Sequence, residues 1–387
     1  MTAGWKWLPY ERILFPCSKI TSLKPINRIF FAASAGLLAL LAGCTTPSLG
    51  SQLGYYWQSI SGHVQLMQAA RLVDDWIADT QTPESLKNRL ALSQRIRNFA
   101  VSELHLPDNP SYRRFADLRR SAVVWNVVAA PAFSLTLKTW CFPVAGCVGY
   151  RGYFAEAEAR AEAARLATTG LEVSVYGVPA YSTLGWMNWA GGDPLLSTFI
   201  HYPEGELARL IFHELAHQVV YAASDTVFNE SFATAVERIG GQRWLQTQAD
   251  PVARKAYAEF DQRRQQFRAL ALATRLELAD IYKQKEPAGQ QTPSQAAMKI
   301  IAMQHFKSNY ETLKTSWGGF AGYDPWVAQA NNAAFGAQAA YDELVPAFEA
   351  LFEQQGRDWP RFYDAVRAIA DLPDAKARRA ALPGTNS

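Results

Sequence analysis

Along the first third of the chain, apolar residues recur at helical spacing. Leu66, Ala69, Ala70, Val73 and Ile77 fall on one stripe, and residues 55–115 read as two or three helices, one of them closed by the turn cluster Leu106-Pro107-Asp108-Asn109-Pro110. The period then shortens. Residues 123–128 are rich in β-branched side chains and residues 133–137 are strand-like, so a small sheet is expected to begin there. An Ala- and Glu-rich stretch, residues 155–167, predicts a helix closed by Thr168, Thr169 and Gly170. Residues 171–178 alternate as a strand does, and residues 196–202 are a second candidate strand, directly ahead of an apolar, Pro-free helix over residues 204–220. Ser224, Asp225 and Thr226 are good caps for a further helix that runs to Ile239, where Gly240 and Gly241 are expected to stop it. Residues 243–286 are charged and helical, residues 287–293 form a loop, residues 317–325 form a glycine-rich loop, and helices continue over residues 327–369. The expected class is α+β, mostly helical, with no internal repeat.

At 387 residues, 49% hydrophobic and 19% charged, with 12 Trp, 20 Phe and 16 Tyr, the chain can fill a large core, which excludes disorder outside the ends. The N-terminal end is different. Lys24 and Arg28 precede residues 29–43, which are apolar apart from Ser34 and too short to span a bilayer comfortably. That run ends in Leu41-Ala42-Gly43-Cys44, which resembles the bacterial lipobox, whose Cys takes a diacylglyceryl group; a plain signal peptide or membrane anchor is the alternative. The segment ahead of Lys24 is long for such a signal, and a start downstream of Met1 would shorten it. Loss of residues 1–43 removes five basic groups and Glu11, taking the formal charge from +3 to −1. No basic patch or recognised motif then argues for nucleic acid. Cys17 leaves with the signal and Cys44 carries lipid, so Cys141 and Cys147 remain in an oxidising compartment. A Cys141–Cys147 disulfide is expected, the alternative being two buried thiols. Residues 44–54 read as a tether, residues 55–375 as a single domain and residues 376–387 as a tail.

The chemistry concentrates in His213-Glu214-Leu215-Ala216-His217. On a helix, residues four apart are turned by about 40° and raised by about 6 Å, so both imidazoles reach one ion at about 2.0–2.1 Å. Glu214 then lies beside the fourth coordination place, where it can take a proton from water. The alternative is a pair of satisfied helix histidines beside a solvated Glu. A helical pair alone makes a weak zinc site, and Asn229-Glu230-Ser231-Phe232-Ala233 offers the third ligand, Glu230, on a helix that a short connection folds back. Glu237, two turns later on the same face, is a rival ligand, a partner of a ligand, or a solvated residue.

With these residues the chain resembles the gluzincins, zinc peptidases in which a Glu from an Asn-Glu-x-x-Ala-like segment completes a His, His, Glu site; Glu230 falls on that position. Only 12 residues separate His217 from Glu230, a shorter interval than in familiar members. The lipobox, Val124-Trp125-Asn126-Val127, Trp140-Cys141-Phe142-Pro143 through Cys147, Tyr150-Arg151-Gly152-Tyr153-Phe154, Tyr181-Ser182-Thr183-Leu184-Gly185, the zinc helix and Asn331-Asn332-Ala333 are similar to those of the predicted aminopeptidases found as lipoproteins in Gram-negative bacteria. The resemblance implies a zincin-like core, with a small sheet over the active-site helix, flanking helices, and a cleft between that helix and the C-terminal helices. It implies one zinc ion, a peptide or protein substrate, and Glu214 as the base. Thr45 after Cys44 is not the Asp-type inner-membrane retention signal, so the periplasmic side of the outer membrane is the expected location.

Tyr181, His201, Tyr202 or Tyr323 are candidate oxyanion or substrate contacts, and residues 196–202 a candidate edge strand for extended substrate. Asn331 and Asn332 line the cleft or, as the favoured reading, tie down the glycine-rich loop. Exopeptidase action needs an anion for the substrate's α-amine; Glu206, Asp193 and Glu237 are available, and the Gly-x-Met-x-Asn-like anchor of well-known aminopeptidases is missing. Two alternatives stay open: a zinc endopeptidase of envelope proteins, and a non-catalytic envelope lipoprotein with a structural zinc site.

Overall fold

The computed structural model describes residues 47–142, 146–180, 183, 185, 188–283, 294–338 and 344–385. Its strands are short: β1 (Arg71–Leu72), β2 (Arg114–Ala116), β3 (Val124–Pro131), β4 (Trp140–Phe142), β5 (Gly146–Val148), β6 (Arg151–Tyr153), β7 (Leu171–Val178) and β8 (Leu195–Leu196). The helices are α1 (Pro47–Ala69), α2 (Val73–Ala78), α3 (Glu84–Ser102), α4 (Glu156–Ala167), α5 (Glu204–Ala216), α6 (Thr226–Thr247), α7 (Pro251–Lys283), α8 (Gln295–Ser316), α9 (Asp324–Ala328), α10 (Asn332–Ala337), α11 (Val345–Gln354), α12 (Trp359–Ala370) and α13 (Ala375–Ala381). The class is α+β and mostly helical, and no described helix is long and apolar enough to cross a membrane.

β3 is the centre of the main sheet, antiparallel to β6 on one side and β7 on the other. Trp125, Val127 and Ala129 pack towards Ala159 and Leu166 of α4, while Val128 and Ala130 pack towards Ala333 and Ala337 of α10. With both faces covered, β3 carries a continuous apolar run rather than an alternation. Asn126 is the polar exception, fully buried with its amide donating to the Tyr176 hydroxyl at 3.4 Å. A second sheet pairs β1 with β2 antiparallel and β2 with β8 parallel. In the β4–β5 hairpin Cys141 and Cys147 are register partners joined by a disulfide.

Several expected boundaries move. Pro47 occupies the first helical position, where its missing N–H is harmless, so α1 takes up most of the segment read as a tether. Ala69 is exposed because β1 breaks the helical phase between Leu66 and Val73. Residues 133–137 are not a strand: the Ser134 N–H bonds back to Pro131 O at 3.2 Å and the Thr136 N–H to Ser134 Oγ at 3.1 Å, closing local turns. Residues 196–202 are also a turn beyond Leu196, because the N–H groups of Phe199 and Ile200 both bond to Leu196 O, at 3.2 and 3.0 Å. That backbone is folded on itself and offers no extended edge. The Ala- and Arg-rich tail carries α13, where buried Arg378 pairs with Asp225 at 3.1 Å.

Gly240 and Gly241 do not stop α6, which runs on to Thr247. Their role is close approach. A Cβ on Gly240 would lie 2.6 Å from Leu104 Cδ1 and 3.1 Å from Phe212 Cδ2, and one on Gly241 would lie 2.5 Å from Arg209 Cγ. α5 and α6 therefore cross in tight contact, and around them Phe212, Phe232, Trp244, Phe348 and Phe362 form the main core. A second core, with Phe267, Phe306, Tyr310, Tyr323, Trp326 and Phe335, lies among α7, α8, α9 and α10. Asn331 and Asn332 tie α10 to the sheet rather than to the glycine-rich loop: Asn331 donates to Val173 O at 2.9 Å and Asn332 to Ala132 O at 2.8 Å.

Gly240→Ala tests the crossing. Helix propensity alone favours Ala by about 0.8–1 kcal/mol, whereas overpacking a rigid core costs about 1–3 kcal/mol. The expected outcome is a net loss of roughly 1–2 kcal/mol, seen as a lower urea midpoint with an unchanged slope.

Candidate metal centre

α5 begins after Pro203, with Glu204 and Glu206 in the first turn where the helix dipole favours anions. Every residue from Gly205 to Ala216 is buried, so the expected apolar stripe is one side of a helix enclosed all round. Enclosure forces each charged side chain on it to find a partner. The regular helix ends at Ala216, and His217 is its cap residue, with its N–H on His213 O at 3.3 Å.

Asp225 caps α6 by accepting from the Phe228 N–H at 3.1 Å. Glu230, in the second turn, then meets both imidazoles. His213 Nε2 and His217 Nε2 are 3.1 Å apart, Glu230 Oε2 is 3.3 Å from the former, and Glu230 Oε1 is 3.5 Å from the latter. A tetrahedral ion with bonds of about 2.0–2.1 Å has donors about 3.3–3.4 Å apart, and one donor atom from each of the three residues lies within 4.8 Å of the others, so small side-chain adjustments would gather them on one ion. The three side chains retain at most 4% exposure, and Glu214 beside them none. They are enclosed, where an open cleft was expected. His213, His217 and Glu230 could hold a metal.

Each donor has its own support. Glu237 Oε2 lies 2.7 Å from His213 Nδ1, on the ring nitrogen away from the ligand cluster, which suits the tautomer that presents the Nε2 lone pair to a metal. Of the three roles left open for Glu237, the geometry gives it that of ligand partner. Glu230 is held through its neighbour, because the Asn229 amide accepts from Ala222 N–H at 2.7 Å and donates to Ala222 O at 2.8 Å, pinning the connection between the helices. His217 is held through Gln218, which accepts from Asn109 at 2.7 Å and donates to Ser111 Oγ at 3.2 Å. That loop is gripped by buried Arg97, which donates to the carbonyls of Pro107, Asn109 and Ser111. Burial, and then nearby Arg113, bring Arg97 down to about 10. Gly192 (φ 66°) allows the contact with this loop, since a Cβ there would lie 2.4 Å from Ser111 N.

The proposed substrate contacts fall elsewhere. Tyr181 and Cys44 lie outside the described residues. His201 is exposed, with its imidazole lowered by partial burial and then by Arg89. Tyr202 and Tyr323 are buried and raised, first by burial and then by Glu206, at the opposite end of α5 from the donors. Tyr323 stacks on Phe267 with centroids 4.0 Å apart. The three acids considered for a substrate amine are engaged within the fold. Glu206 takes both oxygens to Arg264, at 2.8 and 3.0 Å; Asp193 accepts from Thr183 Oγ1 at 2.7 Å; Glu237 bridges His213 and Arg209. Tyr221 is the residue that periodicity missed. It is 40% exposed, in the connection between the donor helices, and its phenol is pushed up to about 12 by burial and then by Glu230. Its only sequence signal was its place four residues after His217.

Charge adds a constraint. α5 and α6 bury Glu206, Glu214, Glu230 and Glu237 with Arg209, and α7 adds Arg264. With Asp261, which pairs with both arginines, the acids number five against two, and a divalent cation among the donors would offset part of that excess.

Residues 54–382 match the family described as Putative aminopeptidase. No curated protein and no solved structure matches the chain.

Asn229→Ala removes both bonds to Ala222 and strands a buried N–H and C=O, each costing about 1–3 kcal/mol. A drop of roughly 2–4 kcal/mol is expected in chemical unfolding, with weaker metal uptake in the folded fraction.

Proposed function

The chain belongs to the Putative aminopeptidase family, and from that premise we propose that it is a zinc-dependent peptidase in which His213, His217 and Glu230 hold the ion and Glu214 handles the proton. The observation that carries the reading is that one donor atom from each of His213, His217 and Glu230 lies within 4.8 Å of the other two in a buried site. Two imidazole nitrogens with one carboxylate suit zinc, whereas magnesium and calcium favour all-oxygen sets. Three protein ligands leave a fourth position, which is the catalytic rather than the structural pattern. On this reading the zincin-like part is the α5–α6 pair; the sheet β6-β3-β7 packs on α4 and α10 rather than over the α5 helix as expected.

Zinc bound there would polarise a peptide carbonyl and ease deprotonation of the attacking water. Glu214 takes that proton and returns it to the leaving amine, so that neither a free hydroxide nor an amide anion has to form. Tyr221, partly exposed in the connection between the donor helices, would be available to donate a hydrogen bond to the developing oxyanion. Glu237 holds His213, and the Gln218 loop holds His217, in the orientation this requires.

We place the protein in the cell envelope, anchored through lipid at Cys44 to the periplasmic side of the outer membrane. The Cys141–Cys147 disulfide supports an oxidising compartment. With α1 beginning at Pro47, the anchor would hold the body close to the membrane surface.

A second reading, endopeptidase rather than aminopeptidase, is favoured by one observation: Glu206, Asp193 and Glu237 are all bound inside the fold. Matched peptides with free and acetylated N-termini separate the two, since an aminopeptidase cleaves only the former. Glu214→Gln should keep its zinc and lose about 10²–10⁴-fold in hydrolysis. If the wild type holds zinc and cleaves neither peptide series, the site is structural and the peptidase reading is lost.

A further inference from the structure

We infer that Arg209 is a positioning residue for the metal centre: through Glu237 it sets the orientation of His213, and it is itself fixed by α7. This rests on the metal-dependent reading above and extends it to a residue outside the motif.

Glu237 uses its two oxygens in different directions. Oε2 meets His213 Nδ1 at 2.7 Å, and Oε1 accepts from Arg209 Nη2 at 2.5 Å. A carboxylate held at both oxygens cannot rotate, and the imidazole that depends on it is held with it. Arg209 is anchored in turn on its other terminal nitrogen, with Nη1 donating to Tyr257 Oη at 2.6 Å and lying 3.5 Å from Asp261 Oδ1. Arg264 closes the chain by bonding Asp261 and gripping Glu206, one turn before Arg209 on α5. Burial pulls the Arg209 guanidinium down, but Glu237, Tyr257 and Glu206 more than offset it and hold it well above its ordinary range.

Two glycines make room for this chain. A Cβ on Gly241 would lie 2.5 Å from Arg209 Cγ, and one on Gly205 would lie 2.5 Å from Tyr257 Cδ2. Each glycine costs helix stability, so the backbone gives up propensity at the two points where Arg209 and Tyr257 pass. Lysine does not replace arginine here, because one ammonium cannot present two separate nitrogens to Glu237 and Tyr257. The consequence is that His213 is held for coordination only when α7 is docked.

The test is zinc affinity, by competition with a chromogenic chelator, together with the visible spectrum of the cobalt(II) form. Wild type, Arg209→Lys, Arg209→Met, Tyr257→Phe, Glu237→Gln and the Arg209→Met/Glu237→Gln double variant are compared, with folding checked by circular dichroism. Loss of an outer partner of a metal ligand typically costs 10–100-fold in affinity. Arg209→Met should weaken zinc about tenfold or more, Arg209→Lys by less, and Tyr257→Phe by roughly threefold, each with a shifted cobalt spectrum. The double variant should bind about as weakly as Glu237→Gln alone, because one path is cut twice. Should Arg209→Met fail to fold, Tyr257→Phe and Arg209→Lys decide the matter. Folded variants with wild-type affinity and spectrum, or losses that simply add in the double variant, overturn the inference. A wild type that takes up no zinc overturns the metal-centre reading itself, which is a different result from equal affinities.

Discussion

Charge taken out of water has to be matched, and the packing of α5 against α6 takes out a great deal of it. Glu206, Arg209, His213 and Glu214 sit on a helix enclosed on every side. An ion so placed costs several kcal/mol unless its partner has good geometry. This requirement dictates much of the architecture. α6 must cross closely enough for Glu237 and Glu230 to meet α5, which demands Gly240 and Gly241, and α7 must lie where Arg264 reaches Glu206. Hydrophobic burial drives the helices together, but the ionic pairing selects which faces meet.

The division between what the sequence made legible and what it hid follows the range of the interactions. His213, Glu214 and His217 could be read as one helical face because helix geometry is local, and Glu230 could be read because a short connection leaves few ways to return. The Cys141–Cys147 pairing and the β7 strand were similarly accessible. Arg209 and Tyr257 could not be seen, because they are 48 residues apart and meet only after α7 docks. Gly240 and Gly241 look like a helix stop to any local rule; their reason is the steric presence of Leu104, in the turn after α3, and of Arg209 on α5. Residues 133–137 and 196–202 have strand-like composition, yet side-chain and backbone turns claim their amides first.

The two cores have separate tasks. The larger one, around Phe212, Phe232 and Phe348, sets the α5–α6 crossing that brings three donor atoms together. The smaller one, around Phe267, Tyr323 and Trp326, shapes α7 to α10 into a body that meets α5 through ion pairs and through the Tyr257 ring against Gly205. Asn331 and Asn332 lock that body to the sheet through Val173 and Ala132. The donors therefore owe their geometry to residues of α5, α6 and α7 and of the loop that Arg97 holds.

The near-complete enclosure of His213, His217 and Glu230 also governs kinetics. On the peptidase reading, a chelator and a peptide carbonyl would both have to displace the side chains that cover the donors, so ion exchange and substrate entry would share one opening step.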